Sequence, residues 1–463
     1  DEGSALSVSR TLAEDGIYAS PNSDGYQTFG AVQSVGPTVL VPIALSFKLF
    51  GIGLVQGRVV MALYMLFTLA VFYRAGLALW GRSAALLAVV LLIGSPAARF
   101  LWFGRQALGE VPALGFFLLG WLAWSQNVHG KRSWPYTASG LFIGAAMVTK
   151  SSYVLIGFGT LAILAILDLV YYRQRIIGSI IVVGLVAMVC VISWWAWQLA
   201  YYGAEIFREN ADKLRQLGAA TTGFNPGVIF AGIKFLIGAD SGHFYYLWGF
   251  AALVYVGVWS LRRDQNGVSL AFLLIFALLW LGYYLWSMPW LSYIFAPATV
   301  VALFVARLWH DLAGGLTVSL PTLWAEIRQG KPAQATLNLA ALTGLALMLA
   351  VPLQASVRND ILKRDDSPQR LVAFLNQTVE DNAIIETWER ELAILTDHHF
   401  HFPDQSTLTA IHAAAYRNDD ARRQGLGAEY FQKHRPSFLV VGWFARRIGL
   451  YDASFLADHA RLL

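Results

Sequence analysis

Long apolar segments separated by short polar connections occupy most of this chain, from about residue 57 to residue 354. A helix needs about 20 apolar residues to cross a bilayer, and ten stretches meet or approach that length. We predict membrane-spanning helices near residues 57–79, 83–101, 112–127, 136–149, 153–172, 176–200, 244–261, 268–287, 289–308 and 336–354. The predicted fold class is an α-helical polytopic membrane protein with about 10–11 spans.

Polar residues precede this apolar region. Residues 3–35 are rich in Gly and Ser and predict a short helix followed by a loop. The run from Pro37 to Phe50 is short and interrupted by proline, so we interpret it as a helix lying in the membrane interface, with a span as the alternative. Together, residues 1–52 form a predicted outer segment of a transmembrane domain that covers residues 1–354.

The chain becomes charged and rich in His from about residue 355. Residues 371–375 have helical spacing, whereas residues 383–387 and 438–442 are typical of short buried strands. A tail of about 100 residues is large enough to form a domain. We therefore predict a small α/β domain over residues 355–463.

Composition supports the membrane assignment, because 57% of the 463 residues are hydrophobic and only 14% are charged. Soluble domains carry about 25% charged residues. The net charge of +5 does not indicate nucleic acid, since the basic residues lie between apolar runs and form no patch. The single cysteine, Cys190, excludes an intrachain disulfide. No cleavable signal peptide is evident, and the polar start leads us to expect a further transmembrane helix before residue 1.

Basic residues recur in alternate connections between the predicted spans. They are Arg74, Arg82, Lys131, Arg132, Arg173, Arg175, Arg262, Arg263, Arg307, Arg328 and Lys331. The positive-inside rule places these connections in the cytoplasm. The intervening connections and the tail then face outward, so we expect a plasma-membrane protein whose active site and C-terminal domain are extracytoplasmic.

Ionisable residues at the outward ends of the helices are the candidates for chemistry, because a charge at the helix centre costs at least about 2.5–3.5 kcal/mol. Asp1 and Glu2 supply carboxylates that can act as bases, although acids also favour a helix N-terminus. Arg105 and Glu110 form a second candidate group. Here Pro112 suits a first helical turn, and a helix cap with a surface arginine is the alternative.

Three further groups have weaker signals. Lys150 interrupts an apolar region, where it could bind a phosphate or extend to the lipid headgroups. His243 precedes an aromatic run typical of a membrane interface. His398, His399 and His401 are metal-ligand residue types, but such a short cluster is more often a solvated loop, which is the interpretation we favour.

The order of these motifs resembles the polytopic glycosyltransferases of the C superfamily (GT-C), closest to the bacterial relatives of protein O-mannosyltransferases and aminoarabinose transferases. The motifs are Asp1-Glu2, a Pro-containing helix ending Leu49-Phe50-Gly51, Gly104-Arg105 before Glu110, Thr149-Lys150, and a tail with Ile385-Glu386-Thr387 and Asp397-His398-His399. The resemblance covers most of the chain. It implies a GT-C-like transmembrane domain and an outer C-terminal domain.

The resemblance also implies roles for individual residues. Asp1 corresponds to the catalytic base, with Glu2 beside it, and Glu110 corresponds to the acid of the second outer loop. Lys150 corresponds to a contact for the donor phosphate. Many relatives carry an Arg-Tyr pair at the start of a late helix, where this chain has Tyr293 without the arginine.

The function implied is transfer of a sugar from a polyprenyl-phosphate donor to an acceptor hydroxyl, with inversion. The expected partners are that donor, a protein or lipid/glycan acceptor and membrane lipid. No cofactor is certain, and a divalent metal is left open. The alternatives are a transporter or flippase for lipid-linked sugars and a non-catalytic membrane subunit. We expect the tail to select the acceptor without taking part in the chemistry.

Overall fold

The computed structural model of this chain is mostly helical, with small sheets near its two ends. The structure describes residues 2–23, 25–128, 133–238, 243–287, 290–316, 332–362, 366–380, 382–403, 405–416 and 436–447, with single residues or pairs between and after these ranges. The predicted fold class, an α-helical membrane protein with a small C-terminal α/β part, is confirmed.

The outer segment contains more structure than a helix and a loop. Its elements are α1 (Glu2–Glu14), β1 (Ser20–Asn22), β2 (Gly25–Gln27), α2 (Ala31–Ser34) and α3 (Pro37–Phe50). The strands β1 and β2 pair antiparallel as a hairpin that the sequence pattern did not predict. Helix α3 has the predicted bounds, because Pro37 suits its first turn and Gly51 ends it at a φ of 84°.

Five helices in the described part of the chain are long and apolar enough to cross a membrane. They are α4 (Leu54–Trp80), α9 (Ser152–Leu167, extended by a π turn to Tyr172), α10 (Ile177–Thr221), α13 (Gln265–Trp286) and α14 (Leu291–Leu312). Other helices occupy the remaining predicted spans. They are α5 (Arg82–Gly94), α6 (Phe100–Arg105), α7 (Glu110–Ser125), α8 (Trp134–Thr149), α12 (His243–Ser260) and α15 (Pro332–Ser356), and α11 (Pro226–Leu236) precedes α12.

Two predicted elements differ from the structure. The span 83–101 is broken after Gly94, because Pro96 disfavours helical geometry at the residue before it and Ser95 is extended. The region 201–243, predicted as a long loop, is partly helical. There α10 continues past a kink at Gly203 and α11 follows it.

The helix bundle has two chemically distinct ends. At one end the predicted cytoplasmic connections meet, where the Tyr172 hydroxyl donates to the Ser260 carbonyl and Arg307 lies over the Trp259 ring. At the opposite end lie α1, α3, and the first turns of α4, α7 and α14. Stacked aromatic rings such as Phe117 and Phe276, 3.9 Å apart, fill the interior between them.

The C-terminal part is built around a parallel three-stranded sheet in the order β4-β3-β5. Its elements are α16 (Ser367–Thr378), β3 (Ile384–Thr387), α17 (Leu392–Leu395), β4 (His399–His401), α18 (Gln405–Tyr416), β5 (Phe438–Val440) and α19 (Trp443–Arg447). Strands β3 and β5 lie where the sequence pattern predicted them. Helix α18 packs against α10, so this part sits at the same end of the bundle as α1.

Candidate active site

Glu110 and Lys150 form a buried ion pair. The Lys150 Nζ lies 2.7 Å from the Glu110 Oε1, and the two side chains are 15% and 5% exposed. Glu110 is the first residue of α7 and Lys150 directly follows the last residue of α8. The carboxylate therefore lies at the positive end of one helix dipole and the ammonium at the negative end of another, which stabilises each by about 0.3–1 kcal/mol.

Glycines allow the backbones around this pair to approach closely. A Cβ at residue 109 would lie 2.9 Å from the Thr149 carbonyl oxygen and 3.2 Å from the Lys150 Cδ. At Gly36, a Cβ would lie only 1.7 Å from the Val148 carbonyl oxygen, while the Gly36 amide donates to the Thr149 carbonyl over 2.9 Å. Glycine is required at residue 36 to bring the start of α3 against the end of α8.

A second ion pair joins the buried carboxylate of Glu2 to Arg58, whose side chain is 39% exposed. The Arg58 Nε and Nη2 donate to the two Glu2 carboxylate oxygens over 3.1 and 2.8 Å, and the Ala107 amide donates to the Glu2 Oε1 over 3.3 Å. Such a two-pronged contact is strong and directional. Arg58 was not among the predicted site residues, although an arginine inside an apolar span is itself a signal of function.

The loop between α6 and α7 connects the two pairs. The Ala107 amide of this loop contacts Glu2. Gly109, two residues after Ala107, packs against the aliphatic part of the Lys150 side chain. The structure therefore brings Glu2, Glu110 and Lys150 to one end of the bundle, although they are far apart in sequence. Two carboxylates and two cations there can bind an anion and exchange a proton.

The second carboxylate oxygen of Glu110 is buried and unpaired among the described residues. Glu110 Oε2 and the Tyr153 hydroxyl are buried without a hydrogen-bond partner among the described residues. Tyr153 and Tyr293 both lie near the Glu110 carboxylate. The Tyr293 ring also contacts the Tyr283 ring at 4.9 Å. Buried polar groups are usually hydrogen-bonded, so this unused acceptor and donor distinguish the surroundings of Glu110 from an ordinary helix interior.

The other predicted site residues have separate outcomes. Asp1 lies outside the described residues, and of His243 only the backbone, at the start of α12, is described. Arg105 ends α6 with an exposed side chain, close in sequence to Ala107. The roles predicted for all of these residues remain predictions.

The histidine cluster of the tail is not a solvated loop, so that interpretation was wrong. His399 and His401 belong to β4, and only His399 points outward. His398 is 9% exposed and His401 is 4% exposed, with the His401 Nδ1 3.7 Å from the buried Glu386 Oε2. Among the described residues, no group of three or more His, Cys, Asp or Glu could hold a metal ion.

Comparisons with known proteins agree with this architecture. Residues 34–197 match the family model for dolichyl-phosphate-mannose-protein mannosyltransferase. ArnT from Cupriavidus metallidurans bound to undecaprenyl phosphate is similar in structure, with a TM-score of 0.60 at 14% identity over 89% of this chain and 83% of that chain. No curated protein sequence matches this chain.

An archaeal oligosaccharyltransferase from Archaeoglobus fulgidus is also similar. Its apo form has a TM-score of 0.53 at 13% identity, and the match covers 88% of this chain and 61% of that chain. Its complex with an inhibitory peptide and a dolichol-phosphate has a TM-score of 0.52 at 13% identity, covering 88% of this chain and 60% of that one. This chain thus spans less than two thirds of the oligosaccharyltransferase. Together, the family match and the shared fold confirm the resemblance to the GT-C superfamily.

Proposed function

We propose that this chain, a membrane glycosyltransferase of the GT-C superfamily, transfers a sugar from a polyprenyl-phosphate donor to an acceptor hydroxyl at the outer face of the plasma membrane. The observation that carries the proposal is the presence of two ion pairs at one end of the helix bundle: Glu110–Lys150, which is buried, and Glu2–Arg58, in which the carboxylate is buried. ArnT was solved with undecaprenyl phosphate, and the archaeal oligosaccharyltransferase with dolichol-phosphate and a peptide. Both support a lipid-phosphate donor.

In the proposed reaction, Asp1 is the general base. The acceptor oxygen attacks the anomeric carbon, the bond from that carbon to the phosphate oxygen breaks, and the polyprenyl phosphate leaves with the electron pair. The proton of the acceptor hydroxyl goes to the Asp1 carboxylate. One displacement of this kind inverts the anomeric centre.

Glu2 is better suited to structure than to proton transfer. Arg58 contacts both of its oxygens and the Ala107 amide contacts one of them, so these three hydrogen bonds fix the position of the Glu2 side chain. We therefore assign the base to Asp1 and assign Glu2 the task of holding the first turn of α1 against α4.

Lys150 is the proposed contact for the donor phosphate. Its ammonium has three donors, and Glu110 accepts one of them. The remaining donors can stabilise the charge that grows on the phosphate as the bond to the sugar breaks. Glu110 orients the Lys150 ammonium. The second oxygen of Glu110 can accept a hydrogen bond from a hydroxyl of the sugar donor. Tyr293, Arg105 and His243 are further candidate contacts for the donor.

A transporter for lipid-linked sugars is the second candidate function. Transporters place ionisable residues near the midplane of the membrane. In the described membrane helices the fully buried carboxylates, Glu110 and Asp168, lie at helix ends. This distribution favours the transferase.

The test incubates the purified full chain with labelled polyprenyl-phosphate sugars and with peptide, lipid and glycan acceptors, with and without a divalent-metal chelator. Labelled acceptor, with polyprenyl phosphate as co-product, supports the proposal. Activity lost with the chelator and restored by a divalent metal would show metal dependence. In sealed vesicles, passage of an intact lipid-linked sugar without any transfer would support the transporter and overturn the transferase.

A further inference from the structure

The C-terminal part of the chain packs directly against the first turn of α1. A Cβ at Gly3 would lie 2.3 Å from the Glu391 amide nitrogen and 2.5 Å from the Arg390 carbonyl carbon. These are backbone atoms, so they cannot move aside as the end of a long side chain can. The segment that follows β3 therefore lies on the residue next to Glu2, with no room for a side chain between them.

Apolar packing joins the same two elements. Ile394 of α17 is 8% exposed and is buried in one hydrophobic cluster with Ala5, Leu6 and Val8 of α1. A contact of this kind is stabilised by the area it removes from water and is lost when the two surfaces separate. Helix α1 thus lies between the membrane helices and the C-terminal part, with buried contacts to both.

Arg390 connects this surface to the hairpin that follows α1. Its Nη1 donates to the Ser20 Oγ over 3.2 Å and its Nη2 to the Gln27 Oε1 over 2.9 Å. The same Nη2 also approaches the Pro403 carbonyl oxygen at 3.4 Å, and the guanidinium lies 4.9 Å from the centre of the Phe402 ring. A planar guanidinium with several fixed partners holds their relative orientation, which a lysine could not reproduce.

Further contacts support the same docking. The Arg10 side chain contacts Asp397 over 2.8 Å and the Ala393 carbonyl over 2.9 Å. The Ser23 amide donates to the Phe400 carbonyl of β4 over 3.0 Å. These contacts lie farther from Glu2 than the contact at Gly3, so they fix the far end of α1 and the hairpin.

We propose that Arg390 is a positioning residue for the transferase reaction, because it holds the C-terminal part against the hairpin that follows α1 and so against α1 itself, which begins at Glu2, the residue after Asp1. The inference rests on the proposed function. The C-terminal part then has a role besides acceptor selection, namely to fix where the base lies. A misplacement of about 1 Å at a reacting group can cost about 10²-fold in rate, even when the mutation is distant.

The experiment compares Arg390→Gln and Arg390→Lys with Arg370→Gln in the purified full chain. Arg370 lies on α16 in the same part of the protein, and its side chain is 73% exposed in a pair with Asp366. We expect Arg390→Gln to lower kcat about 10- to 100-fold with little change in the KM for the donor. Arg390→Lys should recover little of this loss, and Arg370→Gln should behave like the wild type.

Two further readouts separate positioning from other roles. The pH profile of kcat should keep its shape in Arg390→Gln, since the base is unchanged. Amide hydrogen exchange of residues 2–14 should become faster, while the exchange of α13 and α14 stays the same.

A second variant, Gly3→Ala, should cause the same kinetic and exchange changes. Its control is Gly218→Ala, because Gly218 is a helical glycine with no atom within 4 Å of an added Cβ.

The outcomes distinguish this inference from the proposed function. If the wild type shows no transfer, the proposed function fails, and the exchange measurement still decides whether Arg390 fixes α1. If the wild type is active, an unchanged kcat in both Arg390→Gln and Gly3→Ala overturns the inference. A fall in kcat without faster exchange in residues 2–14 overturns it as well. If Arg390→Gln does not fold, Gly3→Ala provides the same test.

Discussion

Removing Lys150 while Glu110 stays should destabilise the protein strongly. At 2.7 Å and an effective dielectric constant of about 20, the attraction between the two charges is about 6 kcal/mol before any cost of desolvation. Lys150→Met leaves a carboxylate that is 5% exposed without its cation. Breaking a buried pair in this way typically costs about 3–5 kcal/mol. Glu110→Gln should cost less, because the ammonium is the more exposed partner.

The double substitution separates structure from function. Glu110→Gln combined with Lys150→Met removes both charges, so no buried charge is left unpaired and most of the lost stability should return. Donor affinity should not return with it. A charged contact to a phosphate contributes about 1.5–3 kcal/mol, which corresponds to about 10- to 150-fold in the dissociation constant.

The assay measures thermal unfolding in one detergent together with binding of a polyprenyl phosphate and transfer of the sugar. Lys213→Met is the matched control, because Lys213 pairs with Glu209 in an exposed i,i+4 contact on α10. It should change neither stability nor binding noticeably. A double variant that binds and transfers like the wild type would refute the phosphate role and leave the pair as a structural ion pair only.

Other substitutions test separate parts of the site and of the C-terminal sheet. Asp1→Asn should lower transfer by about 10²–10⁴ with donor binding retained, and Glu2→Gln should cost less; the opposite order would move the base to Glu2. Gly36→Ala should destabilise the chain more than Gly218→Ala does in thermal melting, because its Cβ would lie 1.7 Å from a carbonyl oxygen. Burial raises the pKa of Glu389 above its ordinary value of 4.5, so folding binds a proton and stability falls as pH rises from 4.5 through the raised pKa. Glu389→Gln should remove that fall in pH-dependent melting, and an unchanged pH dependence would contradict the assignment.

The length of the apolar runs and their helical spacing predicted most of the membrane helices, because both are local properties of the sequence. Helix α4 and the predicted span 57–79 agree within three residues, and α13 agrees equally well with 268–287. The pattern failed where the structure depends on something other than apolarity. Pro96 divides an apolar run, and α10 continues for some 20 residues as a polar helix that leaves the apolar region, where hydropathy gives no signal.

The sequence pattern could not predict which charged residues form ion pairs in the folded chain. Glu2 was singled out for its chemistry, but its partner Arg58 lies 56 residues along the chain at the start of another helix. Only the packing of α1 on α3 and α4 brings the two together. Likewise, the spacing of the histidines gave no indication that His401 would be buried beside Glu386 of the neighbouring strand, or that His398 would be buried as well.

The charges of the site suggest why a lipid phosphate could be both held and released there. The two ion pairs, Glu2–Arg58 and Glu110–Lys150, carry no net charge, so they add no excess positive charge that would trap an anion. In the proposed reaction, the phosphate gains negative charge as its bond to the sugar breaks, so an interaction with Lys150 would strengthen at that step. Binding that is stronger in the transition state than in the ground state is what accelerates a reaction. A site held neutral by its own ion pairs is therefore better suited to turnover than an equally buried lysine without its carboxylate.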